Sequence, residues 1–203
     1  PSLAWREEGR VRVAPDRALV EDLDSLPLPD RASIPPHLFR FPLTGEPLTM
    51  LSLSRGCPHA CSFCLAPLYY GRRERRRSAA SVVEEVRVCV RDHGIRHFIF
   101  WGEMVSFRRE ALVELCETLI RERVDVVWMG AARADQLDDE LLALMRRAGC
   151  FMLTLGLESA SQAILDASHK GLSVEDGVRA AQAMRRAGIK VMGHFVVGLP
   201  GET

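Results

Sequence analysis

From residue 48 onward, apolar residues fall into two alternating textures. Runs of strand length occupy 48–53, 97–101, 124–129, 151–157 and 189–197. Between them, segments 82–92, 109–122, 138–148 and 173–187 carry apolar positions at helical spacing. Regular strand–helix alternation predicts βα units on a parallel sheet, with right-handed crossovers placing the helices on one side if the sheet curls. The punctuation agrees. Ser81-Val-Val-Glu84 has a capping-box pattern at the first helix, and Ser173-Val-Glu175 offers a hydroxyl and early acids at the fourth. Gly94, Gly149 and Gly188 stand where helices end.

The first 46 residues have a different texture. Leu3 to Val13 alternates around Glu8-Gly9 and predicts a small hairpin. After it come Asp22, Asp24 and prolines at 27, 29, 35, 36 and 42. Such proline density removes backbone donors and forbids a long helix, which leaves an extended connector. Its phrase Leu23-Asp24-Ser-Leu26-Pro27-Leu-Pro29-Asp30-Arg31 reads on physics alone as a linker lying on a domain surface. The expected division is a hairpin and proline-rich linker at 1–46 and an α/β core at 47–203. The chain starts at Pro1 and stops at Thr203 just after an apolar run, so it reads as an internal piece of a longer protein.

Composition narrows the classes. With 203 residues, 47% of them hydrophobic, the chain can bury a core and should form one main domain with an appendage. Lys+Arg and Asp+Glu balance at 27 each, so no global field recruits nucleic acid or an anionic membrane. No apolar run approaches the length of a membrane span and no targeting segment is visible. A cytoplasmic location is expected, without nucleic acid as a partner.

The candidate chemistry concentrates in Cys57-Pro-His-Ala-Cys61-Ser-Phe-Cys64. Three thiolates from one loop can converge on one centre, and the loop supplies no fourth cysteine. On a four-iron cluster, three thiolates leave one iron open to an exchangeable ligand. The competing reading is a zinc site completed by His59. Disulfides are disfavoured in a chain of this composition. Cys89, Cys116 and Cys150 sit in or beside amphipathic helices and read as small buried hydrophobes. Ligands of a parallel βα array bind beyond the carboxyl ends of its strands, and the unusual residues fall there. The cysteine loop follows the first strand, Gly102-Glu103 the second, and Arg133 with Asp135 the third. Glu158-Ser159 follows the fourth and Gly198-Leu-Pro200-Gly-Glu202 the fifth. Five strand ends address one cavity.

The C-x3-C-x-aromatic-C spacing, with Phe63 before the last cysteine, resembles the signature of radical S-adenosylmethionine (SAM) enzymes. The likeness extends over most of 48–203. It implies a partial (β/α) barrel of that type, about five of six βα units being present and the C-terminal end truncated. It implies a 4Fe–4S cluster on Cys57, Cys61 and Cys64, with the amino and carboxylate groups of SAM on the remaining iron. Phe63 would line the adenine side, and Gly102 and Glu103 would hold the methionyl amine, although Trp101 stands where the family has its first glycine. Glu158, with Ser159 beside it, would contact SAM, and Gly198 and Pro200 would lie near adenine. The implied activity is reductive cleavage of SAM to a 5′-deoxyadenosyl radical that attacks a small-molecule substrate. Its electron would come from a low-potential donor such as a flavodoxin or ferredoxin.

The residues alone leave alternatives. Glu103 and Glu158 could be acids at helix N-termini, and Gly198 and Gly201 simple turn residues. Arg133 and Asp135 read as a cap of the third helix in preference to a substrate contact. Tyr69-Tyr-Gly-Arg-Arg-Glu-Arg-Arg-Arg77, with five arginines in six positions, reads as a solvated face, with an anionic substrate or acidic electron donor as the functional alternative.

The connector and the phrase Arg55-Gly-Cys-Pro-His-x-Cys-x-Phe-Cys64 further resemble the cobalamin-binding radical SAM enzymes. In that subgroup a cobalamin domain precedes the linker, and members include methyltransferases and a porphyrin-ring cyclase. The resemblance implies cobalamin-dependent methyl transfer or ring modification, with cobalamin bound by a domain outside this chain. A methylthiotransferase and a zinc-bound structural module are the other readings.

Overall fold

In a computed structural model, the protein is described at residues 3–15, 17–33, 35, 38–42 and 44–202. The linker residue Pro36 and the terminal Thr203 lie outside them. The predicted hairpin forms from β1 (Ala4–Glu7) and β2 (Arg10–Val13), which pair antiparallel. Glu8 and Gly9 turn with positive φ, as a two-residue hairpin connection requires. The core then follows in chain order. β3 (Leu48–Ser52) and β4 (Ser54–Arg55) lead into the cysteine loop. α1 (Ala66–Tyr70), β5 (Arg75–Arg76) and α2 (Ala79–His93) come next. β6 (His97–Trp101), α3 (Arg109–Arg121), β7 (Val127–Ala132) and α4 (Asp139–Arg147) continue the alternation. β8 (Cys150–Glu158), α5 (Gln162–Ala167), α6 (Val174–Arg186) and β9 (Lys190–Phe195) end it.

The main sheet has the order β3-β6-β7-β8-β9, parallel throughout, so each strand lies beside the next one in sequence. It is an open five-stranded arc of the partial-barrel kind. Alternation along each strand sorts the side chains. Leu51, Phe98, Phe100, Trp128, Leu153 and Leu155 are buried in one cluster with Val82, Val86, Leu112, Leu115, Leu142 and Met184 of the helices. Residues of opposite parity, such as Ile99, Met129, Thr154 and Met192, line the concave face. Among the described residues no helix is long and apolar enough to cross a membrane.

Three local expectations need correction. The third strand begins at Val127 rather than 124, because Val124 and Val126 pack against the core from the preceding loop and mimic a strand. The first long helix starts at Ala79 with Ser78 as its cap, and Ser81 is the residue whose N–H that cap receives, at 3.1 Å. The arginine run is not a solvated face. Arg75 is buried and donates to the Val20 and Tyr70 carbonyls at 2.6 and 2.7 Å. Arg76 pairs with Glu74 at 2.8 Å, and Arg77 pairs with the buried Glu85. Arg31 of the linker reaches the same Glu85 and also the Thr49 hydroxyl. The run therefore fastens the linker and β5 to the sheet edge, and of its five arginines only Arg72 and Arg73 are exposed to solvent.

The caps provide a modest test of these helices. Asp138 accepts the Leu141 N–H at 2.8 Å and pairs with Arg109 at 2.6 Å, which holds its carboxyl below the usual carboxylate value. Asp138→Ala should cost about 1 kcal/mol in urea unfolding at neutral pH. A depressed folded-state pKa contributes stability that is present above the unfolded value and lost as pH falls through the folded one. The gap between variant and parent should therefore narrow on acidification below about pH 4.

Candidate functional site

The concave face and the strand ends enclose a cavity of about 480 Å³. Its wall includes Cys57, Cys61, Phe63 and Cys64 from the loop after β4, together with Gly102 and Glu103 after β6. Glu158 closes it at the end of β8. Seven of the ten residues singled out from sequence therefore share one space. The other three do not line it. Ser159 accepts the Ser161 N–H at 3.1 Å on the outer side of the β8 end. Gly198 and Pro200 lie in a turn closed by Glu202, whose carboxylate receives the Gly198 N–H and, at 3.2 Å, the Leu199 N–H.

The cysteine loop is shaped by its flanks. Gly56 sits at φ +104, and a Cβ there would stand 2.1 Å from the Arg73 carbonyl oxygen, so only glycine lets the strand turn so close to the arginine segment. The Cys57 N–H donates to the Gly71 carbonyl at 3.1 Å, and the Ser62 N–H to the Ser168 carbonyl at 3.0 Å. Burial pushes the thiols of Cys57 and Cys61 up, with Lys170 opposing the effect at Cys61. Elsewhere, burial raises Cys89 to about 11 and Cys116 to about 12, and Cys150 is wholly enclosed. Those three are core hydrophobes, as the sequence suggested, Cys89 and Cys116 on α2 and α3 and Cys150 at the start of β8.

Glu103 is the clearest sign of a missing partner. Its Oε2 is buried and has no hydrogen-bond partner, and burial raises its pKa. A carboxylate oxygen buried without a donor costs free energy unless a ligand supplies one. Glu158 is different. It has φ +61 at the point where β8 slips register against β9, and its Oε1 receives Lys170 Nζ at 2.7 Å. Gly156 makes room for that pair, since a Cβ there would lie 2.5 Å from Glu158 Oε1 and 2.9 Å from Lys170 Nζ.

Lys170 was missed in the sequence. It is buried, lines the cavity and stands 5.9 Å from the centroid of the Phe63 ring. The available signal was compositional: this chain has only two lysines, and the other, Lys190, opens β9. Arg133 also lines the cavity, but it does not cap α4, whose cap is Asp138. It pairs with Asp135 at 2.9 Å and donates to the carbonyls of Lys170 and Gly171 at 3.2 and 2.6 Å. Arg133 thus holds the segment that presents Lys170.

Three thiols on one wall suit a multi-iron cluster better than a single ion. Among the described residues no three His, Cys, Asp or Glu side chains are gathered as a single-ion site. A cluster takes its thiolates on different irons, so they need not meet at a point. Beside the loop, the half-buried Glu103 carboxylate, with one oxygen unpartnered, and the buried ammonium of Lys170, held by Glu158, are of the two signs that the charged ends of an amino acid require. The donor set fits a cluster and an amino-acid-bearing ligand such as SAM.

Comparison with known proteins agrees with this geometry. The family model described as the radical SAM superfamily matches residues 51–203. An uncharacterized methyltransferase of Pyrococcus horikoshii is 28% identical over 201 residues, which is 99% of this chain and 43% of that protein. The anaerobic magnesium-protoporphyrin IX monomethyl ester cyclase of Rubrivivax gelatinosus is 33% identical over 198 residues, 97% of this chain and 35% of that protein. The chain thus spans less than half the length of these relatives. Among solved structures, the radical SAM methyltransferase TsrM of Kitasatospora setae, with cobalamin and a 4Fe–4S cluster bound, aligns with a TM-score of 0.72 and 24% identity. The alignment covers 78% of this chain and 32% of that one.

Proposed function

The chain belongs to the radical SAM superfamily, and from that premise we propose that it is the catalytic core of an enzyme that cleaves SAM reductively for cobalamin-dependent methyl transfer or ring modification. The observation that carries this reading is the unpartnered Oε2 of Glu103 in the cavity that the three thiols share. The related methyltransferase and cyclase, aligned over almost the whole chain, support the choice within the family.

Cys57, Cys61 and Cys64 would hold the cluster, which with SAM supplies one-electron reductive cleavage and the hydrogen-abstraction chemistry that follows. The chain's own residues then have separable tasks. Glu103 accepts a hydrogen bond from the amino group of the methionyl end, giving its orphaned oxygen a donor. Lys170, released in part from Glu158, offers its ammonium to the methionyl carboxylate. Ile99, Met104, Phe107, Met129 and Met192 give the cavity apolar walls that exclude water and limit side reactions.

The test is SAM affinity. Glu103→Gln keeps the shape of the side chain and removes its charge, so SAM should bind about ten- to a hundred-fold more weakly, equivalent to about 1.5–3 kcal/mol. Iron content and colour should be unchanged, and 5′-deoxyadenosine should form more slowly with dithionite. A variant that binds and cleaves SAM like the parent would show that Glu103 does not hold the ligand. Dependence of the methylated or cyclised product on added cobalamin would test the finer assignment.

A further inference from the structure

The cavity shared by the thiols ends at Trp101, and a second, smaller one begins there. It measures about 260 Å³ and lies along the outer edge of β3, under the proline-rich linker. Leu26 and Leu28 of the linker form one wall, and Met50 of β3 with Trp101 of β6 the other. Trp101 is the one residue that lines both spaces, so a single indole is their partition. Trp101 is 51% exposed and Met50 46%, which leaves both with apolar surface open to a ligand. The family pattern has a glycine at position 101, and without a side chain there the partition would be absent.

The charge of this second cavity is unbalanced. Arg31, Arg55 and Arg77 line it against one acid, Glu85. Arg31 and Arg77 are committed, because both pair with Glu85. They also donate to the Met50 and Ser52 carbonyls at 3.1 and 3.3 Å, which closes the edge of β3, and Arg77 stands 3.9 Å from Asp24. Arg55 is half-buried and makes no ion pair or side-chain hydrogen bond among the described residues. Its cross-strand neighbour is Arg75, which spends its guanidinium on the Val20 and Tyr70 carbonyls and on no carboxylate. Burial, and then the nearby Arg55, hold Arg75 below the usual arginine value, so Arg55 sits in a positive field that the fold leaves uncompensated. A guanidinium beside apolar walls favours an oxyanion that it can meet with two N–H groups.

We propose that this cavity is a substrate compartment for an organic acid, with a carboxylate or phosphate on Arg55 and an apolar body against Trp101. The proposal rests on the function proposed above, because it assigns a chemical class to the substrate of that reaction. A ligand anchored at Arg55 has its far end at Trp101, the border of the space that contains the thiols and Glu103. Apolar walls with one uncommitted charged group are the usual composition of a small-molecule site. The volume lies just below the common range for such sites, which suits an acid of modest size. The indole offers that acid a flat apolar face, best matched by an aromatic body.

Calorimetry on the cluster-loaded protein tests the proposal with three probes of similar shape: 2-naphthoate, 2-naphthyl phosphate and the neutral 2-naphthylmethanol. At least one acid should bind about ten-fold or more tightly than the alcohol, and the tighter acid identifies the oxyanion. Arg55→Gln should remove that advantage and leave the affinity for the alcohol unchanged, while Arg55→Lys should restore part of it. Trp101→Ala should weaken acid and alcohol alike by about ten-fold, and Trp101→Phe by much less. Arg72→Gln, at an exposed arginine outside the cavity, should bind like the parent. Saturating SAM should leave acid binding unchanged, because the two ligands occupy separate spaces. The SAM affinity of Arg55→Gln should equal that of the parent, which separates a lost anchor from a damaged fold. Equal affinity of the parent for acids and alcohol would overturn the compartment. So would an Arg55→Gln variant that holds the acids as tightly as the parent, or displacement of the acid by SAM. Failure of dithionite to drive SAM cleavage in the parent would instead count against the proposed function, and the binding results would still decide the compartment.

Discussion

Alanine at any one of Cys57, Cys61 or Cys64 is expected to take the protein from about four irons per chain after anaerobic reconstitution to less than one, with loss of the brown colour. The effect should be close to all-or-none, because a cluster held by three thiolates from one short loop has no spare protein ligand nearby. The remaining cysteines cannot substitute. Cys89, Cys116 and Cys150 are buried in the packing between sheet and helices, and burial holds the first two as thiols well above neutral pH. Cys116→Ala is the matched control. It should keep its iron and lose only the ~1 kcal/mol that a small cavity costs. Iron analysis and the absorbance near 400 nm would read both results. If Cys116→Ala lost iron as fully as Cys61→Ala, the three-ligand assignment would fail.

The largest effect on stability is expected at a residue outside the cavity. Glu85, only 2% exposed on α2, receives Arg31 from the linker and Arg77 from the segment after β5. Glu85→Ala leaves two guanidinium groups against a buried surface without their shared counter-charge. Breaking a buried pair in this way costs about 3–5 kcal/mol, a large part of the 5–15 kcal/mol that stabilises a typical domain. Urea unfolding should show the loss. Replacing all three partners together by apolar residues of similar volume should recover much of it, since the penalty belongs to the stranded charges. If the single and triple replacements were equally unstable, packing of the stems rather than charge would be the source.

The βα rhythm was legible because it depends on local periodicity, which the sequence displays directly. The cavity's main residues were legible for a related reason: they follow strands, and strand ends in a parallel array face one side. What escaped depends on partners far apart in the chain. Nothing near Arg75, Arg76 and Arg77 announces that they will meet Val20, the carbonyls of Met104 and Val105, and Glu85. Composition alone made them a surface. Lys170 was hidden likewise, because its partner Glu158 lies across α5, a helix of six residues too short to show a period. Glu202 was read with its glycines as part of the rim, whereas it folds back on the turn that carries it.

The bond from Ser62 N–H to the Ser168 carbonyl has a consequence for the order of assembly. The cysteine loop is made early in the chain, but the residues that brace it, Ser168 and the Arg133-held segment at 170–171, arrive only after four of the five sheet strands have been made. Joining ends so far apart carries a loop-closure cost that non-local contacts must first recover. The loop therefore takes its final shape late, on a sheet already in place. Iron and sulfide delivered to the nascent chain would meet three loosely held thiols, whereas after folding they meet a braced wall. The braced form of the cysteine loop thus exists only once β8 and α5 are in place.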